Sequence, residues 1–512
     1  MSVVESPRAA KPKWIKVIDQ TKCIGCHACS TACKSENLVP LGVNRTYVKA
    51  VETGVFPQVR RNFQVTRCNQ CENPPCVAIC PTRAMFQRDD GIVDFDKSIC
   101  IGCKACMAAC PYDAIFINPD DHTAEKCNFC AHRIEIGLEP ACVTICPTEA
   151  IMIGNANDPD DKVTKMIHRD PVTVRRGEKS TRPKLFYKGA HQSTLDPIAA
   201  RQPAGDTFMW SEINRSNRIL NSGHVAEHHN NDSVESRLVY DVSHSMPWGW
   251  RVSGYTWTKG IAMGVAMSAL LAMALGKLSV VSTTAKYDMP IVALVALAVT
   301  GFLLITDLKQ PKRFIYLFTK PHWRSWLVKG GFIIGLDGAA IVFWLLFALL
   351  GINSVAMDVI GVALAVTSVM GAIYTAYLFS QARARDLWQS PLRVPHLLVQ
   401  ALLLGSAALA PFVTSDQIAQ HFVLWLGGLM CVAHLGFVLV ETTIAHPTSH
   451  SKAAVWHMTI GRYSAPFWVS AVAVLIGVSA PALGMVPLLV AGIGLLGYEH
   501  AYIQAGQSVP LA

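Results

Sequence analysis

The stretch Cys100-Ile101-Gly102-Cys103-Lys104-Ala105-Cys106-Met107-Ala108-Ala109-Cys110-Pro111 decides how the first third of this protein folds. Three cysteines stand two residues apart, a fourth follows after three more, and proline closes the run. The same spacing occurs at Cys23, Cys26, Cys29 and Cys33. Two runs vary it: Cys68, Cys71, Cys76 and Cys80 before Pro81, and Cys127, Cys130, Cys142 and Cys146 before Pro147. Sixteen of the 17 cysteines therefore form four complete sets of four, and Cys431 stands alone among apolar residues. Short segments such as Gly91-Ile92-Val93-Asp94-Phe95 and Ala150-Ile151-Met152-Ile153 separate the runs and predict small strands, the mark of an internal repeat.

Three closely spaced thiolates wrap one [4Fe–4S] cubane, while the fourth, three residues on, is aimed at a second cluster. Clusters built this way come in coupled pairs. A zinc ion also accepts four thiolates; four runs at ferredoxin spacing with three trailing prolines select iron–sulfur over zinc. Each cluster carries one electron, so four in one head make a wire, entered at one end and left at the other. The head holds no Walker loop, no G-x-G-x-x-G opening a helix after a strand and no nucleophile elbow, which assigns substrate catalysis to a partner.

The protein has 512 residues, 51% of them hydrophobic and only 16% charged, too apolar for disorder. Its net charge of +9 carries no basic stripe with interleaved aromatics, so nucleic acid is excluded as a partner. After Trp248 come eight apolar stretches, near 258–280, 290–307, 327–350, 355–380, 392–413, 419–441, 465–483 and 485–503. Each is close to the ~20 residues that cross a bilayer as a helix. Between head and tail the sequence turns polar, with Asn157-Asp158-Pro159-Asp160-Asp161 and His228-His229-Asn230-Asn231-Asp232. The expected domains are a ferredoxin-like iron–sulfur head over 1–154, an extended arm and linker over 155–246, and an eight-helix anchor over 247–512. The His224–His229 patch is read as a solvated loop rather than a metal site.

Even numbers of crossings return the polypeptide to its starting side, so three loops share a side with the head. They carry Lys309, Lys312, Arg313, Lys320, Arg324, Arg383, Arg385, Arg393, Lys452 and Arg462, against Lys277 and Lys286 opposite. The positive-inside rule places the head in the cytoplasm, on a multi-pass protein of the inner membrane. Met1–Gln20 shows no apolar export signal, and cytoplasmic thiols stay reduced and available for metal.

Residues 14 to about 190, with the four runs and Arg182-Pro183-Lys184-Leu185-Phe186-Tyr187, resemble the four-cluster iron–sulfur subunit of the DMSO reductase family of molybdopterin oxidoreductases. Residues 247–512 resemble the polysulfide-reductase (NrfD) type of membrane anchor. That likeness rests on Pro247-Trp248-Gly249-Trp250, Thr258-Lys259-Gly260, Arg324-Ser325-Trp326 and Ser380-Gln381-Ala382-Arg383-Ala384-Arg385 with Trp388. The two parts are usually separate polypeptides, so the fusion is a departure. The resemblance implies an α+β ferredoxin-like head of two pseudo-repeated dicluster units, joined to an all-α transmembrane bundle of about eight helices. It also implies a haem-free, quinone-binding anchor, and cluster sets that pair run one with run four and run two with run three. Those sets are Cys23, Cys26, Cys29 with Cys146; Cys127, Cys130, Cys142 with Cys33; Cys68, Cys71, Cys76 with Cys110; and Cys100, Cys103, Cys106 with Cys80.

Electrons reaching the membrane need a lipid-soluble two-electron acceptor, ubiquinone or menaquinone, which also takes two protons. Ionisable residues within spans are costly and mark such places. Asp337, His434 and Glu441 are the proton candidates, and Tyr374 and Tyr377 the quinone-carbonyl donors. A b-type haem needs two facing histidines, and His396, at a span edge, is expected to have no mate at matching depth. The expected function is the electron-transfer and membrane subunit of a cytoplasm-facing molybdenum or tungsten oxidoreductase in a respiratory chain. Formate is the favoured partner substrate and sulfite the next. Other readings are a ferredoxin-fed, quinone-linked proton pump or transporter using Asp337, His434 and Glu441, and a passive anchor.

Overall fold

The computed structural model describes residues 11–201, 236–352 and 355–512. The polypeptide forms two compact units, Met1–Ser245 with Pro510–Ala512, and Met246–Val509. The His224–His229 patch lies outside the described residues.

The strands of the first unit are β1 Trp14–Asp19, β2 Thr46–Thr53, β3 Arg60–Arg67, β4 Met85–Gln87, β5 Val93–Phe95, β6 Ile115–Ile117, β7 Ala124–Lys126, β8 Ile151–Asn155, β9 Val172–Thr173, β10 Leu185–Lys188 and β11 Ser236–Tyr240. They build a four-stranded sheet in the order β8-β1-β10-β9, a three-stranded sheet β11-β2-β3, and the two hairpins β4-β5 and β6-β7. β1 is buried along five of its six residues because it is central, paired antiparallel to β8 and parallel to β10. Each hairpin crosses the stretch between cysteine runs, which is how an α+β ferredoxin-like head arises from a repeat.

The expected head ends at residue 154, with an extended arm beyond it. Residues 155–201 instead fold into the head: β10 sits beside β1, and Lys162–Arg169 forms a helix capped by the Asp161 carboxylate. Leu185 and Tyr187 are buried and alternate with Phe186 and Lys188, a period-2 signal only four residues long inside a polar stretch. β11 likewise joins β2. Just past it, His244 sits 2.6 Å from Asp113 and 3.2 Å from Asp241. Burial works against the imidazolium, yet Asp241 and Asp113 push the His244 pKa up to about 10. Its folded value lies above its unfolded one, so this stabilisation is full below about pH 6.5 and is lost as pH rises through 10. Thermal unfolding of the head is therefore expected to come earlier at pH 9.5 than at pH 6.5, and His244→Gln to flatten that dependence.

Helices of the second unit, numbered from its start, are α1 Trp250–Ala274, α2 Met289–Asp307, α3 Trp326–Leu349, α4 Val355–Gln381, α5 Arg393–Leu409, α6 Gln417–Thr443, α7 Ser449–Thr459, α8 Ser464–Gly477 and α9 Met485–Ser508. Among the described residues, seven helical spans are long and apolar enough to cross a membrane, with α2 lengthened by a π turn at Thr284–Asp288. α7 and α8 are bent by 69° and count as an eighth if they form one broken crossing. The expected seventh span, 465–483, therefore begins inside a bent pair and ends in a separate turn, Ala480–Leu483.

α1, α5 and α9 are the most enclosed spans, with 61%, 61% and 56% of their apolar windows buried, while α2, α3 and α4 bury 28% each. That enclosure lets α1 start at Trp250, before the expected 258: its first turns bury Ser253 and Thr256 against protein rather than lipid. Gly264 of α1 and Gly405 of α5 pack backbone to backbone, so a Cβ on either would strike the other helix's main chain. Close approach through small residues is how helices associate where lipid removes the hydrophobic drive. Gly264→Leu is expected to cost about 3 kcal/mol or more, because a backbone cannot give way as a side chain can. Gly301→Ala, with nothing within 4 Å, is the neutral control in the same detergent melt.

Candidate functional site

The residue before the second cysteine of every run is left-handed: Gly25 (φ 70°), Gln70 (φ 48°), Gly102 (φ 67°) and Phe129 (φ 59°). This bend curls each loop so that its thiols turn inward. Glycine adopts it without strain; Gln70 is held there by its side chain, which donates to Cys127 O at 2.7 Å and accepts from Val93 N at 2.6 Å.

Repulsion between neighbouring thiols shows how the runs gather. Cys23 feels Cys146 and Cys26, Cys33 feels Cys127, Cys142 and Cys130, Cys76 feels Cys68, Cys110 and Cys71, and Cys103 feels Cys80 and Cys100. Cys29 meets Cys142, Cys68 meets Cys127 and Cys106 meets Cys76, so the groups adjoin in a series. Burial pushes the Cys29 thiol up to about 11 and the Cys33 thiol to about 12. Against its own burial, Cys142 is drawn down to about 7 by Arg67 and Lys16.

These groups fit iron–sulfur clusters better than zinc. Among the described residues no three His, Cys, Asp or Glu side chains close around a single metal ion; thiolates on one zinc would lie ~3.8 Å apart, given Zn–S near 2.3 Å. Cys80, Cys100, Cys103 and Cys106 instead line one enclosed space with Met85, Ile101 and Ala124. Backbone N–H groups already point at sulfur, from Met85 to Cys80 and Ala124 to Cys100 at 3.4 Å each, and from Ala150 to Cys146 at 3.2 Å.

In the membrane unit, α5, α6 and α9 meet at a polar junction. His434 and Glu441 lie seven residues apart on one face of α6, and Arg393 and His396 three apart on α5. His396 Nε2 and His434 Nδ1 are 2.8 Å apart, so one donates and the other accepts a single hydrogen bond. Tyr498 OH donates to Glu441 Oε2 at 2.6 Å. Arg393 pairs with Glu499 at 3.0 Å and lies 4.2 Å from the Tyr502 ring centroid. Several buried polar atoms here have no hydrogen-bond partner among the described residues: His396 Nδ1, which is 3.7 Å from Glu441, Glu441 Oε1, and both amide atoms of Gln400.

His396, expected to lack a mate, therefore has one in His434. Arg393, counted as a loop charge, is buried at 1% exposure within α5. The other candidates fall elsewhere. Asp337 of α3 accepts from Thr367 at 2.9 Å and Ser368 at 2.8 Å of α4, with Oδ2 unpartnered among the described residues. Tyr374 lies under Lys259 Nζ at 4.6 Å, and Tyr377 stacks on Trp326 at 4.4 Å. Lys259 is buried in α1 and donates to Thr375 Oγ1 at 2.6 Å. Sequence reasoning misses it as an in-span charge, although it stands in the Thr258-Lys259-Gly260 motif. Tyr498 is missed as well; its spacing of four from Tyr502 on α9 is the available signal.

The 4Fe-4S binding domain matches residues 16–38, the 4Fe-4S dicluster domain residues 59–156, and the family described as polysulphide reductase, NrfD, residues 239–489. A tetrathionate reductase subunit of Salmonella typhimurium is 43% identical over 206 residues, covering 39% of the present protein and 81% of that one. The protein belongs to the 4Fe-4S dicluster electron-transfer family, fused to an NrfD-type anchor. A polysulfide reductase component of Wolinella succinogenes is 42% identical over 177 residues, 34% of the present protein and 93% of that one. A putative dimethyl sulfoxide reductase iron-sulfur subunit of Halobacterium salinarum is 42% identical over 216 residues, 36% of the present protein and 82% of that one. The dicluster part is thus an iron–sulfur electron-transfer protein, and the NrfD-type part makes the whole a multi-pass membrane protein. The NrfD match holds Arg393, His396, His434 and Glu441 and stops before Tyr498 and Glu499.

Proposed function

We propose that this protein carries electrons between a catalytic oxidoreductase subunit and the membrane quinone pool. What supports it is the pairing, in one polypeptide, of four groups of thiols, twelve of the sixteen buried, with a three-helix junction whose buried polar atoms want partners. Each thiol group is assigned one [4Fe–4S] cluster, held by Cys23, Cys26, Cys29 and Cys146; by Cys33, Cys127, Cys130 and Cys142; by Cys68, Cys71, Cys76 and Cys110; and by Cys80, Cys100, Cys103 and Cys106. When bound, the clusters supply one-electron steps in series. The protein keeps most of the thiolates out of water, with Cys26 exposed, and aims N–H groups at several of their sulfurs.

Quinone reduction takes two protons with its two electrons. The His396–His434 pair shares one hydrogen and Tyr498–Glu441 a second, so the junction holds two protons in two short hydrogen bonds. His396 Nδ1 and the Gln400 amide are the groups assigned to the carbonyls of ubiquinone or menaquinone. The site is assigned without Asp337, Tyr374 and Tyr377, whose contacts described above are with Thr367, Ser368, Lys259 and Trp326. A pump relay of Asp337, His434 and Glu441 lacks support from this geometry, since no described hydrogen bond or ring contact joins Asp337 to the other two.

The catalytic partner is assigned to the molybdopterin class, with molybdenum or tungsten. Its substrate is assigned to sulfur compounds ahead of formate, because three of the similar proteins are named for tetrathionate, polysulfide and dimethyl sulfoxide reductases. The head is assigned to the cytoplasmic side. With Arg385 and Arg393 buried, Lys452 and Arg462 inside the bent pair and Lys286 inside the Thr284–Asp307 span, six loop cations face one.

The test is purification of the tagged protein in mild detergent, mass spectrometry of the co-purifying subunits and metal assay of the same sample. Dithionite-reduced clusters are then mixed with a short-chain quinone. A molybdenum or tungsten subunit and quinone-dependent reoxidation are expected. Zinc in place of iron, or clusters indifferent to quinone, overturns the reading.

A further inference from the structure

Two buried cations share one cysteine. Arg67 and Lys16 are 1% and 0% exposed. Arg67 Nη1 donates to Cys142 Sγ at 2.9 Å, and Lys16 Nζ reaches the same sulfur at 3.6 Å while lying 4.5 Å from the Phe129 ring centroid. Among the described residues neither pairs with a carboxylate. Arg67 Nε and Nη2 are buried and find no acceptor among the described residues. A buried guanidinium without a counter-charge is strongly destabilising. The thiols that act on it most are Cys142, Cys127 and Cys29, the first two from one thiol group and the third from the adjoining one. The arrangement makes sense only around something anionic held by those thiolates.

Other groups are built differently. Cys80, Cys100 and Cys146 receive backbone N–H groups. Lys126 and Lys184 act on Cys68 through space, but their Nζ atoms bond the carbonyls of Val93, Cys127 and Gly91 rather than sulfur. Cys142 takes side-chain hydrogen bonds from two buried cations.

We propose that Arg67, seconded by Lys16, raises the reduction potential of the cluster held by Cys33, Cys127, Cys130 and Cys142 above those of the other three, making it the electron well of the wire. Adding one electron makes a cluster one charge more negative, and a fixed cation at a ligand sulfur favours that form. Buried at low dielectric, the effect is poorly screened. The inference rests on the cluster assignments of the proposed function. Arg67 is a positioning residue here, acting through Cys142.

Redox titration of the intact complex followed by electron paramagnetic resonance tests it. Cys142→Ser identifies which signal belongs to this cluster. In the wild type that signal is expected to have the highest midpoint. Arg67→Gln is expected to move it to more negative potential, to move the two adjoining clusters, which hold Cys29 and Cys68, less, and to leave the fourth in place; Arg67→Lys should retain most of the wild-type value. Unmoved midpoints at full iron content, equal movement of all four, or a wild-type signal that is not the highest each overturn the inference. Should Arg67→Gln lose iron, Lys16→Met reads the same signal, and no negative shift there also overturns it. Zinc or absent iron in the wild type would instead sink the cluster assignment itself.

Discussion

Arg393→Leu is expected to cost about 3–5 kcal/mol, because it leaves the Glu499 carboxylate unpaired inside the membrane unit. Both side chains are nearly inaccessible, at 1% and 3% exposure, and their atoms meet at 3.0 Å. The guanidinium is further held over Tyr502 at 4.2 Å, so its removal also empties an aromatic contact. Breaking a buried pair is far worse than replacing it whole. The double variant Arg393→Leu with Glu499→Leu is therefore expected to recover most of the loss. Thermal unfolding of the purified protein in detergent, followed for both variants, checks this. A single-variant cost below about 1 kcal/mol, the value of a hydrated surface pair, would show that water reaches the junction.

His434→Phe is expected to slow quinone-dependent reoxidation of the clusters by about 10²-fold or more, the usual worth of a positioned acid–base group. The substitution keeps ring volume but breaks the 2.8 Å bond to His396, so the pair no longer holds a transferable proton. Glu441→Gln tests the second bond, since the carboxylate that accepts from Tyr498 at 2.6 Å is replaced by an amide. Both variants are expected to retain full iron and full reduction by dithionite. A normal reoxidation rate in both would remove the junction from quinone chemistry. Lost iron would point to a structural role.

The head is legible because its chemistry is local in sequence. Each run sets four cysteines within 11 to 20 residues, close enough to curl around something small, and a proline ends three of the four. The bilayer spans are legible for a similar reason, since lipid requires about 20 apolar residues in a row. The arm escapes such a reading because a four-residue strand, Leu185–Lys188, shows its alternation only against the β1 strand it completes.

The junction is half legible. His434 and Glu441 stand out as polar residues seven apart in an apolar helix, whereas Arg393, on the boundary of its span, looks like one more loop charge. Its burial depends on Glu499, 106 residues away. His396 looks unpaired for the same reason, because depth along a helix can be counted from sequence but the rotation of one helix against another cannot.

By itself, then, the sequence determined that this protein holds sixteen clustered thiols in a ferredoxin-like head and a polytopic membrane part. Spacing and apolar length are properties of one segment at a time. Only the tertiary structure decided that Arg67 and Lys16 converge on Cys142, and that two histidines, a glutamate and a tyrosine from three helices meet. Those are contacts between segments, set by strand register and helix packing, which act across distances that spacing along the polypeptide does not measure.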